Sequence, residues 1–572
     1  MNDLNLIYDI VIIGGGATGC GAAVDAASRG YKTLLVEQFD FAKGTSSRST
    51  KLVHGGVRYL AQGNIKLVRE ALAERGRLLK NAPHVTGTQP FVVPVFSLWD
   101  KFYYSVGLKI YDILSGKLSL GKTQLLSRKK TLELLPALNP NKLVGGILYY
   151  DGQFNDAELC IDLVHTAVRH GAEVMNYTKA VGFIKEKGVI VGVELEDMLG
   201  AGGATAYVDA DGGGAVGMTG GSDAAQVKPR RVVRCKTVIN ATGVFTDAVL
   251  QMDDPHADTL VYPSQGIHLV IDAKHFKGTN ALMIPKTDDG RVLFAVPWQG
   301  KVVVGTTDTH VDHIDAEPLP LAEEIIFLLD HFNRYCNAQL TKADVLSIFV
   351  GLRPLVKAAG TTVSSMLSRD HTLVVSPSKM VTITGGKWTT YRKMAEDAVN
   401  NAVFVGKLEG GKAAKKLDKN SAEKLAAKKG EPFVERKCIT KELPIGDLGA
   451  SKKLAEQLVA ADPAMGELLT VAAAQTASVS ESQMTTANAA QAHEASAIRV
   501  VDVVVAARCN FVKTVEDFLA RRNRLLFLDA RAAIELAPAV AKILQKELHW
   551  SDAQREAQIQ SFIQLAQQYI VH

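Results

Sequence analysis

The residues whose chemistry is easiest to read in this chain are three glycines at the spacing G-x-G-x-x-G: Gly14, Gly16 and Gly19. Gly14 permits a tight turn, Gly16 leaves no side chain between backbone and pyrophosphate, and Gly19 lets the next helix pack closely on the preceding strand. Backbone N–H groups and a helix N-terminus then face the anion. About 20 residues further on stands Glu37, where a carboxylate hydrogen-bonds a ribose and would repel a 2′-phosphate. FAD or NAD is therefore expected rather than NADP.

The elements that must position this cradle are equally legible. Tyr8-Asp9-Ile10-Val11-Ile12-Ile13 has the β-branched, apolar character of a fully buried parallel strand. Small residues continue through Gly21, Ala22, Ala23, Ala26 and Ala27 as a helix, and Thr33-Leu34-Leu35-Val36 forms a second strand ending in Glu37. The following loop, residues 42 to 60, gathers hydroxyls, glycines, basic groups and a histidine, including Thr45, Ser46, Ser47, Lys51, Leu52, His54, Arg58 and Tyr59. That composition suits contact with a polar cofactor and an anionic substrate, and it also suits a solvated turn. A later strand, Val232 to Ile239, runs into Asn240-Ala241-Thr242-Gly243, which implies close backbone approach at the same sheet edge, where ligands of open α/β sheets bind. Arg353 and Arg369 lie at strand or turn boundaries. A second glycine turn, Gly385-Gly386-Lys387-Trp388-Thr389, opens a helix and offers another anion site.

The whole chain sets limits on these readings. A length of 572 residues requires two or three domains. With 47% hydrophobic and 22% charged residues it is a folded protein, and a formal charge of +5 gives no support to nucleic-acid binding. Six cysteines, Cys20, Cys160, Cys235, Cys336, Cys438 and Cys509, are scattered without C-x-x-C pairs, which argues for a reducing compartment and against a metal site. Residues 1 to 8 lack the features of a signal peptide, and no membrane-spanning helix is expected.

Helical period is clear from Ile65 to Leu79, ended by Pro83. Trp99, Phe102, Tyr103, Val106 and Ile110 then share one helical face, with Lys101, Lys109, Lys117 and Lys122 around them. This is the pattern of an interfacial helix on anionic lipid, although a core-facing helix has the same period. Gly146 to Tyr150 reads as a strand, Leu159 to Ala167 as a helix and Val181 to Glu194 as a hairpin. The Gly/Ala-rich stretch from Gly200 to Gln226 buries little and reads as an insertion; within it, Gly220 stands where a calcium loop beginning at Asp209 would need a glutamate. Strands at His268 to Ile271, Val292 to Val296 and Val302 to Gly305 suggest a second, largely antiparallel sheet. Beyond a Lys/Ala-rich linker the pattern is helical, with capping boxes at Thr514 to Asp517 and Ser551 to Gln554, although the stretch from Ala472 to Ala497 is less regular.

Taken together, the chain resembles the FAD-dependent glycerol-3-phosphate dehydrogenases, within the D-amino-acid-oxidase-like flavoprotein group. The resemblance rests on Ile12 to Gly19, Ser49 to Leu60, Asn240 to Gly243, Gly351-Leu352-Arg353-Pro354, Gly385 to Arg392 and Glu516 to Arg522, and spans nearly the whole chain. The insertion near Gly200 departs from the family pattern, and some relatives carry a basic residue where Gln265 stands. The fold implied is α/β: a Rossmann-like FAD-binding domain (1–80, 150–260 and 345–405), a mixed or antiparallel substrate-capping sheet domain (81–149 and 261–344), a linker (406–442) and a separate all-helical C-terminal domain (443–572).

The resemblance implies oxidation of sn-glycerol 3-phosphate to dihydroxyacetone phosphate by hydride transfer to FAD, with electrons passed to a membrane quinone. It implies cofactor contacts from Gly14, Gly16, Gly19, Glu37, Thr45, Ser46, Ser47, Lys51, Leu52, Ala241, Thr242, Gly243, Gly386, Lys387, Trp388 and Thr389. The phosphate dianion would be held by Arg58, Tyr59, Arg353, Arg369, Lys387 and Thr389. His54 or His268 would be the base, with Arg353 stabilising the developing alkoxide. A lipid-soluble acceptor adds weight to membrane contact through Trp99 to Ile110, and a peripheral place on the cytoplasmic face of the membrane, as one chain or a homodimer, is the expectation. The alternative is an oxidase of the same substrate that reduces oxygen to peroxide. Two further rivals keep the fold, one acting on another 2-hydroxy acid or an amine, the other a non-catalytic flavin-binding sensor.

Overall fold

The computed structural model describes residues 6–57, 60, 63–200, 230–357, 371–408, 436–447, 449–469 and 498–572. Two sheets organise it. The first has the strand order His371–Val375, Val381–Gly385, Arg230–Asn240, Ile7–Ile13, Thr33–Val36, Glu173–Met175, with the hairpin Thr178–Glu186 and Val189–Asp197 attached to Arg230–Asn240. Its central strands are parallel and in matched register, Ile13 standing opposite both Val36 and Asn240. Ile10, Val11 and Ile12 are wholly buried because helices cover one face of this sheet and the hairpin region the other.

Helix Ala17–Ser28 lies on that sheet, against helices Asp156–Arg169 and Tyr391–Val405. Its alanines make the close approach possible: Ala22, Ala23, Ala26 and Ala27 are buried, and a Cβ on Gly21 would fall 2.8 Å from the Tyr391 ring.

The second sheet runs Thr309–His310, Val261–Asp272, Lys301–Gly305, Leu293–Trp298, Ala281–Ile284, Thr86–Val95, Gly145–Phe154, Leu52–Val53, and is antiparallel except where Ala281–Ile284 meets Thr86–Val95. The strand Val345–Val356 belongs here, paired along its length with Val261–Asp272, whereas residues 345–405 were expected within the FAD-binding domain. The boundary expected at residue 150 likewise falls inside one strand of the second sheet. An apolar strand offers the same ladder to either sheet; only pairing with a partner some 80 residues away decides between them.

The C-terminal residues are helical as expected, and both capping boxes form: Asp517 N donates to Thr514 Oγ1 at 3.1 Å, and Gln554 N to Ser551 Oγ at 3.2 Å. The helices do not make a separate body, however. Their core includes Val270, Trp298, Val303 and Phe349 of the second sheet, so the two share one hydrophobic interior. The sequence expectations for 201–226, for 409–435 of the linker and for 472–497 lie outside the described residues.

Helix Leu98–Ser115 buries Ser105, Leu108, Tyr111 and Ser115 and leaves its aromatic face uncovered: Trp99 is 70% exposed, Phe102 61%, Tyr103 52% and Ile113 77%. A core-facing role for that stripe is therefore excluded. Among the described residues, no helix is long and apolar enough to cross a membrane.

Candidate active site

Because the parallel strands are in register, the turns that leave their carboxyl ends converge. Ala241 N donates to Ile13 O at 2.9 Å, which ties the Ala241-Thr242-Gly243 turn to the glycine turn. A Cβ on Gly14 would lie 2.6 Å from Ala241 O, and Gly14 has φ +110°, so this position needs glycine on both counts. Ala17 N at the helix start donates to Ser46 Oγ at 2.9 Å, while a Cβ on Gly16 would meet only that Ser46 hydroxyl, at 3.0 Å. The Glu37 carboxylate accepts from Gly15 N at 2.6 Å and Phe39 N at 2.9 Å; burial nonetheless raises its pKa.

These turns open into a cavity of about 700 Å³, within the usual range for cofactor sites. Gly14, Gly16, Glu37, Thr45, Ser46, Leu52, Ala241, Thr242, Gly243, Gly386, Lys387, Trp388 and Thr389 line it, as do His54, His268 and Arg353. One wall is thus the carboxyl edge of the first sheet and the other the second sheet. Trp388 Nε1 donates to Ser46 O at 2.9 Å, and Thr389 Oγ1 takes the backbone N–H of His54 at 3.2 Å, so the second glycine turn is laced to the loop that follows Glu37. From the opposite side, Gly55 N donates to Tyr111 Oη at 2.7 Å, and that hydroxyl donates to Asp151, which also lines the cavity. The underside of the exposed aromatic helix therefore reaches the wall beside His54.

Three expected contacts do not face the cavity. Gly19 lies beneath the turn, where a Cβ would be 1.8 Å from Gly14 O. Ser47 turns its hydroxyl to Ala42 O, and Lys51 is fully buried behind the wall, its Nζ 2.7 Å from Asp156 Oδ2. The hydroxyl and basic composition of the loop marks it as polar, but not which residues point outward. Arg58, Tyr59 and Arg369 lie outside the described residues.

Arg48, Thr50, Arg291, Thr306, Thr307 and Asp308 also line the cavity and were not singled out from sequence. Arg48 and Thr50 stand within the loop already marked, so a signal existed; Arg291, in a turn between two strands, carried none.

Arg353 is held as a fork. Nη1 donates to Gln265 O at 3.1 Å, Nη2 to Thr307 O at 2.8 Å and Thr306 Oγ1 at 3.1 Å, and the Asp308 carboxylate lies 3.4 Å away. Gln265, whose side chain is bound instead to buried Glu324 at 2.7 Å, contributes its backbone to this fork. His268 stacks on Phe349 (4.8 Å between centroids) with Nε2 2.8 Å from Thr50 Oγ1. Burial first, then the charges of Lys51 and Arg353, push its pKa well below the ordinary value, so the imidazole is neutral. If His268 takes a proton in turnover, the acid limb of the kcat/KM profile falls below about pH 6.5, the unperturbed value. A limb at or above that pH, in a pH series on the flavin-loaded protein, would exclude it as the titrating group.

The donor set fits a flavin dinucleotide: backbone amides at the glycine turn for the pyrophosphate, a carboxylate at the ribose position, and aromatic and cationic groups at the far end. Among the described residues no group of His, Cys, Asp or Glu could hold a metal ion, and all six cysteines are free thiols.

Residues 9–392 match the family model of FAD dependent oxidoreductases, and 438–555 that of the C-terminal domain of alpha-glycerophosphate oxidase. The chain is 37% identical to the mitochondrial glycerol-3-phosphate dehydrogenase of Homo sapiens, over 97% of its own length and 72% of that protein. To the mitochondrial glycerol-3-phosphate dehydrogenase of Arabidopsis thaliana it is 34% identical, over 96% and 85%. Among solved structures it is similar to the glycerol-3-phosphate dehydrogenase from Bacillus halodurans complexed with FAD, with a TM-score of 0.66 and 26% identity across 99% of this chain and 96% of that one. The L-alpha-glycerophosphate oxidase of Mycoplasma pneumoniae shares the fold, at 19% identity and a TM-score of 0.52. With a glycine-turn cradle facing a wall that carries His268 and Arg353, and relatives of this kind along nearly its whole length, the chain belongs to the family of FAD-dependent glycerol-3-phosphate dehydrogenases.

Proposed function

We propose that this protein oxidises sn-glycerol 3-phosphate to dihydroxyacetone phosphate and delivers the electrons to a membrane quinone, bound peripherally at the cytoplasmic face of the membrane. The observation that carries the reading is the meeting, in one cavity, of three glycine-containing turns on one wall, one of them carrying Lys387, with His268 and Arg353 of the second sheet. When bound, FAD supplies the hydride acceptor for C2 of the alcohol. Neutral His268 takes the hydroxyl proton at Nε2 through the Thr50 hydroxyl bound there, which passes its own proton to the ring as it receives that of the substrate. The same contact fixes the ring. Arg353, clamped by backbone carbonyls, stabilises the developing alkoxide without having to reorganise. Lys387 and Thr389, with Arg58, Tyr59 and Arg369, hold the phosphate through charge-assisted bonds of roughly 1.5–3 kcal/mol each. His54, whose backbone N–H donates to Thr389 Oγ1, lines the same cavity and is the second candidate base.

The test of cofactor and substrate together is anaerobic: the yellow protein should bleach on addition of glycerol 3-phosphate. An unchanged spectrum would return the protein to the class of non-catalytic flavin binders. Electron delivery is tested by comparing turnover with a short-chain quinone and with oxygen; peroxide formed as fast as quinone is reduced would favour an oxidase instead.

The exposed stripe on Leu98–Ser115 supports the membrane part of the reading, with Lys109, Lys117 and Lys122 exposed around it. Replacing both Trp99 and Phe102 by Glu is expected to weaken binding to anionic liposomes by at least about 10²-fold, since each ring buries apolar area worth about 1.5–3 kcal/mol. Flavin reduction in solution should be unaffected. Liposome co-sedimentation checks it; undiminished binding would assign the stripe to something other than lipid.

A further inference from the structure

Behind the cavity wall lies a buried cluster, Asp156, Lys51 and Arg524, none of which lines the cavity. Asp156, fully buried, is shared by two cations that are also fully buried: Lys51 Nζ at 2.7 Å and Arg524 Nη2 at 3.2 Å. Ser49 adds two donors to the same carboxylate, its N–H at 3.1 Å and its hydroxyl at 2.7 Å. Lys51 Nζ and Arg524 Nη2 meet again on Ser47 O, each at 2.8 Å. The loop from Ser47 to Lys51 is therefore nailed down at Ser47, Ser49 and Lys51, and Lys51 is held at φ +64°, a conformation that a side chain of its size rarely adopts unless its surroundings impose it.

Thr50 is the residue in between, and it projects to His268 Nε2 at 2.8 Å. The aromatic floor follows the same course. The Arg524 guanidinium lies 4.2 Å from the Phe527 ring, Phe527 is 5.0 Å from Phe349, and Phe349 stacks on His268. Arg524 thus touches both supports of the imidazole, the loop that carries Thr50 and the stack that carries the ring. Two cations on one carboxylate leave an excess positive charge in this interior, consistent with Lys51 being drawn down to about 7 by burial and by the Arg524 charge.

We infer that Arg524, contributed by the C-terminal helical region and outside the cavity, is a positioning residue for the reaction: through Asp156 and Ser47 it sets the placement of Thr50 against His268. This rests on the reading of His268 as a site residue. Among the described residues of the C-terminal region none lines the cavity, and the contribution assigned to Arg524 is mechanical. A displacement of order 1 Å in such a support costs up to about 10²-fold in rate.

In the flavin-loaded full chain, Arg524→Gln should lower kcat for glycerol 3-phosphate by about 10- to 10²-fold with KM within about twofold. Arg524→Lys, which keeps the cation but not the fork, should recover part of it and carries the same test if Arg524→Gln does not fold. Ser49→Ala, a small change at the same carboxylate, should show a weaker effect of the same kind. Thr50→Val alone should lower kcat by about 10-fold, and its combination with any of these variants should be far less than multiplicative, because all break one support. Multiplicative loss, or full kcat in folded, flavin-replete Arg524→Gln, overturns the inference while leaving the site intact. Should Thr50→Val and His268→Gln both retain full kcat, the reading of His268 falls and this inference with it.

Discussion

Arg353→Ala should lower kcat for glycerol 3-phosphate by about 10² to 10³-fold, or roughly 3–4 kcal/mol in the barrier, the size seen when one preorganised donor is removed from a developing oxyanion. The expectation comes from how the guanidinium is held. Two backbone carbonyls, Gln265 O and Thr307 O, and the Thr306 hydroxyl take its N–H groups, so it faces the cavity in one orientation. Lysine has neither the fork nor the reach for both carbonyls, and Arg353→Lys should recover less than a tenth of the loss. The clamp also predicts a second route to the same defect. A Cβ on Gly266 would lie 2.1 Å from Arg353 Nη2 and 2.5 Å from Thr306 Oγ1, so Gly266→Ala must displace the guanidinium and should resemble Arg353→Ala. Stopped-flow flavin reduction without oxygen reads the step directly. A change of less than about threefold in either variant, with flavin content normal, would show that no charge develops opposite this residue.

The second large effect is expected at the cradle. Gly19→Ala places a methyl 1.8 Å from Gly14 O, a backbone atom in a turn that is itself fixed against Ala241. Neither side can yield as a flexible side chain would, so the cost should exceed the usual 1–3 kcal/mol of overpacking, which we put at about 4 kcal/mol. The turn would open, and its amides would no longer converge on a pyrophosphate. The expected product is a destabilised protein purified without its yellow colour, measured as flavin absorbance per chain. A variant with full flavin and unchanged melting temperature would mean that the turn is not under the constraint described.

These two predictions differ in how far the sequence alone reaches them. The cradle is a local object: Ile7–Ile13, the turn and Ala17–Ser28 are contiguous, and apolar run, glycine spacing and small residues each state the same conformation within about twenty residues. The aromatic stripe was legible for the same reason, as a helical period within Leu98–Ser115, but period alone does not say whether a face is covered. The clamp on Arg353 was not legible. It is assembled from Val345–Val356, from Gln265 of Val261–Asp272 and from a turn near Thr306, and residues 345–405 were expected in the FAD-binding domain rather than beside these elements.

What the chain's order of residues determined by itself was what depends on neighbours in sequence: a glycine turn between strand and helix, a carboxylate at the end of the second strand, a polar loop, an amphipathic aromatic helix and a helical C-terminal region. Tertiary structure decided what depends on distance and burial. It put Lys51 behind the wall and Thr50 in front of it, although they are adjacent in the chain, and it brought His268 to Thr50 across 218 residues, where burial and two nearby cations keep the ring neutral. It also merged the C-terminal helices with the second sheet in one core, carrying Arg524 to Asp156 across 368 residues. The physical reason is that propensity and periodicity are read over a few residues, whereas desolvation, charge pairing and strand partnership are properties of groups that meet only once the chain has closed on itself.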